Sequence, residues 1–384
     1  VNRRNWLAAA LTGAGWGVGQ AQVPAWSLDA RRRLLGGTQA GSADRLSEAA
    51  ALTEAGESAL AAGRFDEAER AFDAAAQIVH SADVEMGLVR TYMQAGDYRR
   101  ALTFAAHAAG AHRQVPGATA LYGWLLCLGG QGLAAQRFVG DALASFPADA
   151  ALLEVHSFLQ GTPPVLSPAL LAPPLRAAPY ASGAEIPPAA EAWCSAVLLA
   201  GGRQAVAPAA GLGDARRLWV RNGMGQTRVA TVLAGGEPSG LLHLQLDAAL
   251  PDAPLLLPLL QEPFAGSPFF MFEFQVRADA VPAWPRLQQG FFGRSGPVGA
   301  PRSLVFDASP SACGGPVFDA AGKLAGLAAF AREVGGHLLP ATSFARLATH
   351  STERPLAAPP TARVAVDSLY ETGMRVALQV LRLA

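Results

Sequence analysis

Cysteine is scarce in this chain: only Cys127, Cys194 and Cys313 occur among 384 residues. An odd, widely spaced set is not a disulfide framework, and no two have the short spacing of a zinc or thioredoxin-type motif. Charge is sparse as well. Asp, Glu, Lys and Arg make up 16% of residues, and 30 basic residues balance 30 acidic ones. No global field therefore favours nucleic acid or acidic lipid as partner. No segment after the first few residues is long and apolar enough to suggest a membrane span. His107 and His112, five apart, do not make a convincing metal pair, and neither a cofactor nor a metal is expected from the spacing.

What is present is bulk: 51% of residues are hydrophobic, enough for more than one core, so two domains are expected. The chain opens Val1-Asn2-Arg3-Arg4-Asn5, then runs through the apolar Trp6-Leu7-Ala8-Ala9-Ala10-Leu11 to small residues near Gly19-Gln20-Ala21. A positive start, a short hydrophobic run and small residues are the ingredients of an export signal, loosely of the twin-arginine kind, so residues 1–25 predict a periplasmic or otherwise exported protein.

Residues 26–160 read as helical, with alanine-rich apolar spacing and few β-branched runs. Leu52, Gly56, Gly63, Phe65, Ala68, Phe72 and Ala75 form a pattern that returns from Tyr92 to Ala108 and again from Tyr122 to Pro147, with His80 where a closing proline is common. Gly63, Gly96 and Gly130 stand 33 and 34 residues apart. This resembles a tetratricopeptide repeat, and the resemblance implies an α-solenoid whose grooves bind a protein or peptide partner. Aromatics here, and Cys127 among leucines, read as core.

Prolines concentrate after residue 160, and 161–188 reads as a proline-rich linker without regular structure. Residues 189–350 then break into short apolar strands between glycine and proline turns. The final part, 351–384, reads as a C-terminal extension with a helix whose apolar set includes Val366, Leu369, Tyr370, Met374, Ala377 and Leu381.

Within 189–350 the stretch Pro310-Ser311-Ala312-Cys313-Gly314-Gly315-Pro316 resembles the nucleophile turn of trypsin-like serine proteases, especially the HtrA/DegP type. The resemblance implies a double β-barrel, giving a multidomain α plus β chain. It also places Cys313 at the nucleophile position, with Ser311, Ala312, Cys313 and Gly314 in the oxyanion turn. The family's base falls at Ala210, in Ala207-Pro208-Ala209-Ala210, and its acid at Gly240, before Leu241-Leu242-His243-Leu244. Alanine accepts no proton, and glycine orients no imidazole. Asp307, six residues before Cys313, and His337 match the specificity region, while Asp319 reads as a hairpin-turn residue. His243 and His337 are the alternative bases, though neither matches the base position.

The resemblance thus implies a catalytically inactive pseudoprotease acting as a scaffold or regulatory adaptor for a protein or peptide. An atypical cysteine endopeptidase using Cys313 and a purely structural module are the alternatives. Ser309 and Ser311 miss the nucleophile position, so a serine mechanism is not expected.

Overall fold

The computed structural model describes residues 43–161, 166–210, 217–236, 240–294, 301–306, 313–331, 335–344 and 363–383. The export-signal residues 1–25 lie outside them. Among the described residues no helix is long and apolar enough to cross a membrane.

The first part stacks seven helices: α1 Ala43–Ala61, α2 Phe65–Ile78, α3 Ala82–Ala95, α4 Tyr98–Ala111, α5 Pro116–Leu128, α6 Gly132–Ser145 and α7 Ala150–Leu159. Local signals set their ends. Asp97 and Asp149 accept hydrogen bonds from Arg100 N and Leu152 N at the starts of α4 and α7, and Pro116 opens α5. The 33- and 34-residue period is a backbone requirement. Gly63, Gly96 and Gly130 have φ of +73°, +77° and +77°, and each turns one helix of a pair into the next. The third turn therefore uses Gly130 and not Gly129, which the sequence leaves open. Phe72 fills the space between pairs, because a Cβ at Gly56 or Gly87 would run into its ring.

The helices of the stack are buried very unequally. α3 buries 12 of its 14 residues and α5 buries 10 of 13, whereas α2 buries three and α6 two. A helix buried all round is covered on both sides. One cover for α3 is the proline-rich stretch, where Leu166, Leu170, Leu175, Ala177 and Ala178 are buried. The buried Gln94 amide of α3 clasps this stretch: Nε2 donates to Tyr180 O (3.0 Å) and Met224 O (2.8 Å), and Oε1 accepts from Tyr180 N (2.8 Å). Gln94→Ala strands these backbone groups and is expected to cost about 1–3 kcal/mol. Limited proteolysis should show faster cutting within 166–189; an unchanged cleavage rate would contradict this anchoring role.

Next come two closed antiparallel barrels of six strands each. One is built from β7 Pro268–Glu273, β8 Arg286–Phe292, β9 Arg302–Val305, β10 Pro316–Asp319, β11 Leu324–Ala331 and β12 Gly335–Pro340. Its strand order is β7-β8-β9-β12-β11-β10. Asp319 makes the β10–β11 turn, its Oδ1 accepting from Ala321 N and Lys323 N. The other barrel contains β2 Ala190–Leu198, β3 Gln204–Pro208, β4 Arg217–Asn222, β5 Gln226–Gly236 and β6 Leu241–Leu246. A two-residue strand, β1 Ser182–Gly183, adds to β5 in parallel. This is the double barrel that the trypsin-like resemblance implies.

The sixth strand of the earlier barrel comes from the end of the chain. Helix α8, Val366–Val376, runs directly into β13, Ala377–Leu383, which pairs antiparallel with both β2 and β4. The barrel order is then β13-β2-β3-β6-β5-β4, closed by β5–β6. This repeats the order of the other barrel, with the last strand of the chain in the place that β7 holds there. The reading of 351–384 as an extension outside a barrel domain ending at residue 350 is corrected accordingly. Ala377 and Leu381, read as part of a helical set, lie in this strand. The run Ala377-Leu378-Gln379-Val380-Leu381 fits both a helix and a strand, and pairing on both edges decides for the strand.

Helix α8 also ties the two parts together. A Cβ at Gly373 would strike the Phe272 ring, so glycine lets the helix lie close to β7. Tyr370 stacks on Tyr98 of α4 with centroids 4.3 Å apart and donates to Pro285 O at 2.7 Å. Arg99 pairs with Glu371, and Arg375 donates to Gly96 O. One continuous buried cluster runs from Phe72 through Tyr98 and Tyr370 to Val206, so helices and barrel share a core.

Candidate functional site

The positions singled out by the protease resemblance meet where the barrels join. Pro208 at the end of β3 pairs with Leu241 at the start of β6. Just beyond, Ala209 N donates to Gly240 O at 2.8 Å. The expected base and acid positions, Ala210 and Gly240, therefore sit on adjoining turns. Ala210 is exposed and carries only a methyl group. Gly240, with φ of +66°, serves the turn.

Cys313 and Gly314 are clamped into the same seam. Ser195 N of β2 donates to Cys313 O at 2.8 Å, Gly314 N donates to Ala328 O at 2.7 Å, and Ala328 N donates to Gly315 O at 2.9 Å. Gly314 has φ of +85°, and a Cβ there would collide with the Ser195 carbonyl and Pro208. No other residue fits this turn. The nearby Ser195 hydroxyl accepts from Phe274 N at 2.7 Å, fastening β2 to the chain leaving β7.

The chemistry available at this turn is limited. Burial pushes the Cys313 thiol above its ordinary value, only partly opposed by a hydrogen bond from the Phe330 backbone. The Gly314 N–H is already committed to Ala328. Ser311, Ala312 and Asp307 lie outside the described residues. His337, half-buried on β12, has Nδ1 3.2 Å from Gly335 O. His243, half-buried on β6, is pushed below the ordinary histidine value by burial. Among the described residues neither imidazole hydrogen-bonds Cys313. Cys194 lies close enough to Cys313 to feel its charge, and both are free thiols. Among the described residues the seam offers a fixed turn and a half-buried thiol to which no histidine hydrogen-bonds.

Outside the seam, the fold changes the reading of one pair. His107 and His112 converge with His80 and Glu85, a group no sequence spacing indicates. On a straight helix, residues five apart point about 140° away from each other. His112, however, is the residue at which α4 ends, with φ of −114° and ψ of 51°, and it swings back toward His80. The pair that looked unconvincing is half of a cluster.

Residues 59–125 match the tetratricopeptide repeat family, in agreement with the helical pairs seen there. No curated protein matches the chain. Among solved structures, an HtrA-type protease, AlgW, with a decapeptide is similar at 16% identity with a TM-score of 0.33. That likeness covers 40% of this chain and 49% of the other, so this chain spans about half the length of that structure.

Proposed function

We propose that this chain is a catalytically inactive member of the double-barrel protease architecture, serving as an exported scaffold or adaptor for proteins or peptides. The observation that carries the reading is the joined turn of Ala209, Ala210 and Gly240. On this reading the positions matched to base and acid fall on adjoining turns, and the alanine and glycine there move no proton. The repeats of 59–125 support a binding role, and the arginine-led apolar start supports export.

The structure narrows how a partner would be held. The inner helices α3 and α5 are already covered, in part by the chain's own 166–180 stretch. A partner therefore either meets the more exposed second helices of each pair or displaces that stretch. Affinity capture with intact protein should recover partners in equal yield from wild type and Cys313→Ala. Recovery of partner fragments that depends on Cys313 would contradict the proposal.

The state of the thiol gives a direct test. A raised cysteine value means less thiolate at neutral pH, and the reactive fraction grows only as pH climbs toward the folded value. Iodoacetamide labelling at pH 7, followed by peptide mapping, should find Cys313 at least about tenfold slower than an exposed thiol. Burial raises Cys127 to about 11 and pushes Cys194 well above its ordinary value, so neither should compete. Rapid labelling of Cys313 near pH 6 would reveal a thiolate held by a cation and favour the cysteine endopeptidase.

A further inference from the structure

Four ligating side chains from three segments meet at one edge of the helical stack. His80 lies in the turn before α3, Glu85 in the first turn of α3, His107 in the C-terminal half of α4 and His112 at its end. His80 Nε2 is 2.7 Å from Glu85 Oε1, His107 Nε2 is 3.3 Å from the same oxygen, and His112 Nε2 is 3.3 Å from Glu85 Oε2. His80 Nε2 and His107 Nε2 are 3.4 Å apart. Single ligand atoms of His80, Glu85 and His112 all lie within 4.8 Å of one another.

We propose that His80, Glu85, His107 and His112 bind one divalent transition-metal ion of the zinc class as a closed structural site. Three independent features support this. The first is spacing: a tetrahedral ion with bonds of about 2.0–2.1 Å holds its ligands about 3.3–3.4 Å apart. His107 Nε2 to Glu85 Oε1, His80 Nε2 to His107 Nε2 and His112 Nε2 to Glu85 Oε2 have that length; single-oxygen ligation requires the Glu85 carboxylate to turn so that one oxygen serves all three imidazoles, with the His80–Glu85 contact lengthening from 2.7 Å. The second is unmet need. Glu85 is 4% exposed and His112 is 6% exposed, and Glu85 Oε2 and His112 Nε2 face each other at 3.3 Å without the geometry of a hydrogen bond. A buried carboxylate oxygen facing an imidazole nitrogen is costly unless a proton or a metal cation joins them, and a metal would also satisfy the two other imidazoles beside Glu85.

The third feature is donor type. Three imidazole nitrogens and one carboxylate suit zinc and its neighbours and disfavour magnesium or calcium, which prefer all-oxygen shells. With all four positions filled by protein the site has no open coordination position, so its role is structural. It ties the turn after α2 and the start of α3 to the end of α4, fastening one repeat to the next where His80 replaces the common closing proline. On binding, each imidazole presents a bare Nε2 and keeps its proton on Nδ1, and any imidazolium releases its extra proton to solvent.

The test is metal uptake by the full chain after chelator stripping. Zn²⁺ titrated against a chromophoric chelator should bind at one equivalent and raise the melting temperature. Co²⁺ at the same site should show the intense visible bands of tetrahedral coordination. His80 and His107 are the more exposed ligands, with side chains 42% and 27% exposed. His80→Ala and His107→Ala should therefore keep the far-ultraviolet dichroism of wild type. Each should weaken Zn²⁺ binding by about 100-fold or more. Lack of stoichiometric uptake, a pale octahedral Co²⁺ spectrum, or undiminished binding by both folded variants would overturn the proposal. The wild-type spectrum decides even where a variant is unstable.

Discussion

Deleting residues 377–384 should abolish cooperative folding of the barrel that contains β2 to β6. Strand β13 is interior to that barrel, with Val380 paired to Cys194 on one side and to Val220 on the other. Ala377, Leu378, Val380 and Leu381 are all fully buried. Without them β2 and β4 each present an unpaired edge, and the shared core under α8 opens to water. Removing a single large buried aliphatic side chain costs about 2–5 kcal/mol. Losing several together with two ladders exceeds the 5–15 kcal/mol by which a typical domain is stable.

Val380→Pro is the gentler form of the experiment. It removes a ladder donor in a central strand and should cost about 3 kcal/mol or more. Leu383, half-exposed at the strand end, is the control, and Leu383→Ala should change little. Thermal melts by near-ultraviolet dichroism report the outcome. A truncated chain melting within about 4 °C of wild type, roughly a 1 kcal/mol change, would sink the prediction. The same topology has a consequence for synthesis. The earlier barrel cannot close until the last strand has been made, although its other five strands are complete by Leu246.

Peptide hydrolysis attributable to Cys313 should be indistinguishable between wild type and Cys313→Ala. In a hydroxyl or thiol triad, loss of the base alone lowers kcat by roughly 10⁶-fold, because the nucleophile then attacks without a proton acceptor. On the proposed reading the base position is Ala210 and the acid position is Gly240, and burial raises the Cys313 thiol toward its protonated form. The residual means of acceleration is backbone donation, and the Gly314 N–H is spent on Ala328 O. Incubation with a diverse peptide pool and mass-spectrometric readout checks this. Cleavage lost in Cys313→Ala would establish the endopeptidase and direct attention to His337 and His243 as its base.

Much of the architecture was legible before any coordinates. The repeating glycines at 63, 96 and 130 are demanded by left-handed turns, so their period survives as a sequence signal. The Gly314-Gly315-Pro316 turn is similarly forced, since any side chain at Gly314 would strike Ser195 and Pro208. Ala210 and Gly240 are matched to the base and acid positions through the protease resemblance, and the fold sets these two residues on adjoining turns.

Other features had no local signature. β13 carries apolar residues on both faces, which leaves helix and strand equally plausible until partners on both edges are known. The covering of α3 by residues near Tyr180 depends on a contact 86 residues apart in sequence. The His80, Glu85, His107 and His112 cluster is assembled from two helices and a turn, and it needs α4 to end at His112. Sequence by itself determined the helical repeats and the barrel strands, because each rests on turns and spacings within a few residues. Only the tertiary structure decided which strand closes the earlier barrel, what fills the inner face of the repeats and where four ligands meet. Those outcomes depend on burial and pairing between distant segments, whose energies no local pattern contains.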